Sequence, residues 1–270
     1  MSMKGRRFLS LPVLAVLSLM LFLYYTSIFV FLHDWLHLQS SPGALNAYLF
    51  SLFAFLSLFS FFTCVLTDPG HVPSSYAPDL EFSKDSAQGK KCDKCFAYKP
   101  PRTHHCRVCR RCILKMDHHC LWINNCVGYW NYKAFFVFVL YATIASTYST
   151  VIFISCVLQK DWELIKGNSL RIFYVLYGMM VMALTVTLLT LFGWHVYLVL
   201  HNMTTIEYYE GNRAKWLAMK SGQSYRHPFN IGAYKNITLI LGTNMLKWLC
   251  PTAVSHLKDG VSFPTLRDNS

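Results

Sequence analysis

The sequence predicts an α-helical polytopic membrane protein: four transmembrane helices, with a cytosolic zinc-binding cysteine-rich domain between helices 2 and 3. Three observations predict it. Of the 270 residues, 54% are hydrophobic, too apolar for an ordinary soluble domain. Four long stretches carry no Asp, Glu, Lys, Arg or His. Seven of the ten cysteines crowd between Cys92 and Cys126.

The charge-free stretches are residues 8–32, 43–67, 134–159 and 172–194. Each reaches the ~20 residues that a helix needs to cross a bilayer. One such stretch could be a buried core helix; four of this length are spans. The first is too long for a removable signal peptide and lacks a small-residue cleavage site, so it reads as a first span. Four spans place both termini on one side. Lys4, Arg6 and Arg7 precede the first, eleven Lys and Arg lie from Lys84 to Lys133, and eight more from Arg213 to Arg267. The short opposite loops hold only Lys160, Lys166 and Arg171. The positive-inside rule therefore puts the termini and the long loop in the cytosol. The formal charge of +12 faces anionic lipid head groups, and nothing calls for nucleic acid. The chain divides into 1–67 (N-terminal tail and helices 1–2), 68–133 (cysteine-rich domain), 134–200 (helices 3–4) and 201–270 (cytosolic tail).

In the reducing cytosol, clustered cysteines point to metal or catalysis rather than disulfides. Cys64 and Cys156, within or near spans, read as small apolar fillers. The cluster hides a repeat. Cys92-x2-Cys95-x9-His105-x6-Cys112 has the spacing of Cys106-x2-Cys109-x9-His119-x6-Cys126, displaced by 14 residues. Each set offers three thiolates and one imidazole, an ordinary tetrahedral set for structural zinc, and the two sites interleave. The loop also needs the metal. Around it stand few large apolar side chains (Phe82, Phe96, Tyr98, Val108, Ile113 and Leu114), too few to offset chain ordering. Zinc can supply ~10–16 kcal/mol of folding free energy.

Displaced once more, His104-His105-Cys106 maps onto His118-His119-Cys120. A third set would need cysteine at position 123 and histidine at 133, where the chain has Ile123 and Lys133. Cys120 is thus a spare thiol. Asp117 and His118 stand just upstream, His118 also outside the ligand sets. A base beside a thiol raises the thiolate fraction, and a carboxylate can hold the imidazole in the required tautomer. Lys115 biases the local potential further. Zinc ligands His119 and Cys126 fix the backbone on either side, as a nucleophile requires. Trp122 and Ile123, then Trp130, Tyr132, Phe135, Phe136 and Phe138, lead into the third span. The nucleophile lies near the membrane surface, where a long acyl chain could lie. A thioester donor suits it, in two half-steps through acylated Cys120.

At these residues the sequence resembles the DHHC protein S-acyltransferases, the palmitoyltransferases. Asp117-His118-His119-Cys120 is the name-giving motif, and the block CDKC…YKPPRTHHCRVCRRCILKMDHHCLWINNCVGYWNYKAF matches the family's cysteine-rich domain over essentially its full length. The resemblance implies Cys120 as acyl-accepting nucleophile, His118 as its base and Asp117 as the group orienting His118. It implies one zinc on Cys92, Cys95, His105 and Cys112 and another on Cys106, Cys109, His119 and Cys126. The implied donor is a long-chain acyl-CoA, commonly palmitoyl-CoA, its tail among the four helices and Trp122 near the thioester. Lys99 and Arg102 are candidates for the CoA phosphates, with a solvated basic face as the plain alternative. The acceptors would be cysteines of cytosolic or membrane-associated proteins, and the membrane one of the endomembrane system, the Golgi foremost, with endoplasmic reticulum and plasma membrane as alternatives.

Asp68-Pro69-Gly70 is locally a turn signal. Thr204-Thr205-Ile206-Glu207 resembles the family's TTxE motif and reads locally as a capping box, Thr204 with Glu207. The segment HPFNIGAYKNITLILG resembles the family's C-terminal motif, with Phe229, Tyr234 and Asn236 as packing and hydrogen-bonding positions. Asn202 and Asn236 open glycosylation sequons that cytosolic placement argues against. His195 reads as interfacial. The rival reading is a zinc-organised membrane adaptor without chemistry. A metal transporter is disfavoured because the spans lack a set of carboxylates or histidines.

Overall fold

The computed structural model describes residues 10–78, 91–160 and 167–269. The basic residues Lys4, Arg6, Arg7, Lys84, Lys90 and Lys166, and the aromatic Phe82, lie outside them. Four helices are long and apolar enough to span a membrane: α1 (Leu11–Leu36), α2 (Ser41–Leu66), α3 (Tyr132–Gln159) and α4 (Asn168–Leu200). In lipid a helix alone satisfies every backbone group within one segment. Hydroxyls in the spans bond back to carbonyls one turn earlier, as Ser60 does to Leu56 at 2.8 Å and Thr26 to Phe22 at 2.7 Å. From Thr26 to Leu32 α1 widens into a π-helical stretch. α4 outruns the charge-free window at both ends, taking in Arg171 and His195.

The described residues form two compact units, one joining the start of α1 up to Val13, Phe62–Phe135 and the chain from His195 onward, the other joining Leu14–Phe61 to Phe136–Trp194. The second is a helical bundle cored on Phe31, Phe153, Tyr174 and Tyr177. Interhelical hydrogen bonds, which replace the absent hydrophobic drive in lipid, lock it. Ser27 Oγ and Ser149 Oγ lie 2.7 Å apart, with the Tyr177 hydroxyl 2.9 Å from Ser149. Lys160 donates to Asp34 and to the Tyr174 hydroxyl, each at 2.6 Å.

The first unit holds the cysteine repeat, which builds two antiparallel hairpins: β1 (His104–Cys106) with β2 (Arg111–Ile113), and β3 (His118–Cys120) with β4 (Asn125–Val127). Their registers differ by the repeat. His105 faces Cys112, and His119 faces Cys126. Equivalent residues Arg110 and Asn124 both turn with positive φ, 54° and 44°. One apolar cluster there joins Ile113 and Met116 to the ligand thiols Cys106 and Cys126.

After α4 come α5 (Thr205–Lys220) and α6 (Ala233–Leu241). Lys133, at the start of α3, is buried. Its ammonium donates to the carbonyls of Leu241, Ala253 and Lys247 at 2.7, 2.8 and 2.9 Å, fastening the tail to the helix. Asn236 donates to the Leu200 carbonyl at 2.7 Å and to Asn230 at 2.8 Å. Asn202 and Asn236 are both buried, which rules out either as a glycan acceptor in this fold. Tyr234, expected to pack, is instead 61% exposed.

Candidate active site and metal centres

The eight repeat ligands gather into two groups, Cys92, Cys95, His105 and Cys112, and Cys106, Cys109, His119 and Cys126, with ligand atoms in each all within 4.8 Å of one another. A tetrahedral zinc with bonds of ~2.3 Å to sulfur and ~2.0 Å to nitrogen implies edges of about 3.5 Å between S and N and about 3.8 Å between S and S. The His105 Nδ1 lies 3.6, 3.3 and 3.9 Å from the sulfurs of Cys92, Cys95 and Cys112. His119 Nδ1 lies 3.7, 3.5 and 3.5 Å from those of Cys106, Cys109 and Cys126. These are tetrahedron edges, and both groups fit zinc. Without a cation such thiols resist joint ionisation: burial, then its neighbours Cys92 and Cys95, push Cys112 up to about 12.

Cys120 belongs to neither group. It ends β3 opposite Asn125 and is 8% exposed. Buried Asn125 donates its side-chain amide to the carbonyls of Thr67 and Cys64, at 2.9 and 3.1 Å. Those carbonyls close the end of α2, where helix termini leave acceptors without partners. The Cys120 hairpin is therefore bolted to the end of a membrane span.

On the other side of Cys120, Asp117 is fully buried. His118 Nδ1 stands 2.7 Å from Asp117 Oδ2; a carboxylate only accepts, so Nδ1 carries the proton and Nε2 is left for the thiol. Thr205 holds the same carboxylate, through its backbone N–H to Oδ1 at 3.0 Å and its hydroxyl to Oδ2 at 2.8 Å. Burial opposes ionisation of Asp117, but His118 and Thr205 hold it below the usual carboxylate range. Burial likewise pushes His118 down, but Asp117 and the Cys120 thiol outweigh it and lift the imidazole to about 9. For Cys120 the burial cost is more than offset by the hydrogen bond with His118 and by backbone N–H groups of Ile123 and Trp122, so this thiol ionises more readily than a free cysteine. A readily ionised thiol, an imidazole and a carboxylate in this order are the groups that an activated nucleophile, its base and an orienting residue require.

Residues 85–212 match the family model described as DHHC palmitoyltransferase. The chain is similar to "Probable protein S-acyltransferase 15" of Arabidopsis thaliana, 60% identical over 92% of this chain and 99% of that one. It is 48% identical to "Probable protein S-acyltransferase 16" of the same plant, over 100% of this chain and 97% of the relative. Human "Palmitoyltransferase ZDHHC3" is 37% identical over 70% and 68% of the two chains. The chain belongs to the DHHC palmitoyltransferase family.

In this DHHC family member the two residues offered for phosphate binding part company. Lys99 is half-buried. Arg102 is buried and spent on the protein: it donates to both Glu207 oxygens, at 2.6 and 2.7 Å, and to Asn202 Oδ1 and carbonyl, at 3.1 and 2.8 Å. Phe229 and Phe263 cover the guanidinium, 4.4 and 5.1 Å from their ring centres. A phosphate there would have to displace a carboxylate, so Arg102 is corrected to a brace. Lys115 is also weaker than the sequence suggests, since burial and then Arg102 push it down to about 7. Trp122 stands 59% exposed beside Cys120, open to an apolar ligand. The Thr204–Glu207 capping box forms as read. The sequence does not reveal that the same four residues tie α5 to two charges, Arg102 through Glu207 and Asp117 through Thr205. Asn125 is likewise invisible as an anchor, because its partners are backbone atoms 58 to 61 residues away. His195 is buried and shares a hydrogen bond with the Tyr132 hydroxyl at 3.1 Å.

Proposed function

We propose that this chain transfers a long-chain fatty acyl group, palmitoyl foremost, from acyl-CoA to cysteine thiols of protein substrates by way of an acyl thioester on Cys120. Palmitoyl transfer is the activity of the family to which the chain belongs; the residue roles are our reading. In the first half-reaction the Cys120 thiolate, its proton already held on His118 Nε2, attacks the thioester carbonyl. The C–S bond to CoA breaks, and the proton passes to the departing CoA sulfur. In the second, a substrate cysteine gives its proton to His118 and attacks acyl-Cys120, which leaves as the regenerated thiol. Asp117 and Thr205 hold the imidazole throughout. Thiolate attack on a thioester exchanges like for like, so each step lies near thermoneutrality.

One observation carries the reading: the thiol excluded from both tetrahedra has Asp117–His118 on one flank and the capped end of α2 on the other. A scaffold without chemistry has no use for that pair. We place the acyl chain on the apolar side of this boundary, next to Trp122, and assign a CoA phosphate to Lys99. The zinc groups would hold the hairpins in shape and take no part in either step. The excess of Lys and Arg argues for a cytosolic active site; the family resemblance suggests the endomembrane system, the Golgi first, for the compartment.

Intact-protein mass spectrometry after incubation with acyl-CoA of graded chain length tests the reading. The wild type should gain one acyl group. Cys120→Ser should gain none while keeping two zinc ions per chain. Acylation of Cys120→Ser equal to wild type would sink the assignment. Cys109→Ser should lose metal, and its inactivity would say nothing about mechanism.

A further inference from the structure

The hydrogen bond to Asp117 fixes one corner of the His118 ring. Nε2 lies at the far side, so a swing about that corner moves it most, and the reaction depends on where it sits relative to the Cys120 sulfur. Something else must stop the swing. His118 packs edge-on against Phe135, ring centres 5.3 Å apart. Phe135 meets His195 at 5.0 Å, and His195 returns to His118 at 6.2 Å. Three rings thus close on one another, and the Tyr132 hydroxyl pins the third at 3.1 Å. Tyr132 and Phe135 lie three residues apart on α3, hence on one face; His195 comes from α4.

A buried imidazole is an expensive way to fill space. Burying it costs free energy unless it is hydrogen-bonded, and Leu or Phe would pack there without that requirement. What histidine adds is a directional anchor. We propose that His195 is a positioning residue for acyl transfer, holding the His118 ring against Asp117 and toward the Cys120 sulfur through Phe135, and itself held by Tyr132. The inference rests on Cys120 and His118 being the reacting pair. It assigns His195 no bond to substrate and no proton to carry.

The test is single-turnover acylation of the full-length protein in detergent with palmitoyl-CoA, following the maximal rate and the half-saturating donor concentration. His195→Ala should lower the maximal rate by about ten- to a hundredfold, the loss expected for a misplaced reacting group. The half-saturating concentration and two zinc ions per chain should be unchanged. His195→Phe, which keeps a ring but no anchor, should stay impaired. His195→Asn, which can still pair with the Tyr132 hydroxyl, should recover part of the rate. Tyr132→Phe should lower the rate, and combined with His195→Ala should do no further harm, as coupled residues behave. Full activity of His195→Phe would reduce the residue to packing and overturn the proposal. So would full activity of Tyr132→Phe, which decides the matter if His195→Ala fails to fold. A wild type that acylates while Cys120→Ser does not keeps the underlying reading intact whichever way these variants fall.

Discussion

Asn125 and Cys120 face each other across the β3–β4 ladder, and the asparagine amide closes the end of α2 through the carbonyls of Cys64 and Thr67. The strand that carries the thiol is thereby tied, through its neighbour, to the C-terminal end of α2.

Asn125→Ala should therefore leave buried carbonyls without a donor, at about 1–3 kcal/mol. Acylation should fall with the melting temperature, while the zinc content, which depends on other residues, stays at two. Asn125→Asp should be worse, since it turns a carboxylate toward carbonyls. Thermal unfolding with metal analysis on the same samples reads both.

Metal removal should act on the fold before it acts on the chemistry. The ligands join segments from Cys92 to Cys126, and chelation removes the ~10–16 kcal/mol that such sites contribute. The hairpins should become susceptible to protease between Cys92 and Cys126, with acylation lost in parallel. Protease resistance retained in the metal-free protein would show that the apolar residues suffice.

Arg102 and Glu207 make a buried pair, and Glu207 is held at about 2: burial alone would raise it, but Arg102 outweighs this. A carboxylate depressed in the folded state adds stability that is complete above its unfolded value of ~4.3 and fades as pH falls toward about 2. Glu207→Gln should remove that acid dependence. Arg102→Ala, which strands a buried carboxylate, should cost about 3–5 kcal/mol at neutral pH. Denaturant melts at pH 7 and pH 3 separate the two.

The neighbouring threonines should separate as well. Thr204→Ala loses the cap of α5 and about 1 kcal/mol, seen in stability. Thr205→Val keeps that cap but removes the hydroxyl from Asp117, so its loss should appear in the acylation rate, about tenfold, with stability little changed.

Much of this was legible in the chain because the signals are local or periodic. Charge-free runs mark spans, and a displacement of 14 residues marks both ligand groups and, by subtraction, Cys120. What escaped depends on distant partners. Arg102 looks like a surface cation until Glu207, 105 residues on, folds against it. Thr205 looks like half of a cap until Asp117 reaches it. His195 looks like a helix end near water, because no pattern in its own segment announces the two aromatic residues of α3 that enclose it.

Lys133 stands where a third ligand set would need its histidine, yet its ammonium has been given to three backbone oxygens of the last quarter of the chain. A premature stop just after Leu241 would remove two of those oxygens and strand a positive charge at the mouth of α3. Such a shortened product should fail for want of somewhere to put that charge, and trimming Lys133 to a neutral residue in the same product should partly restore it.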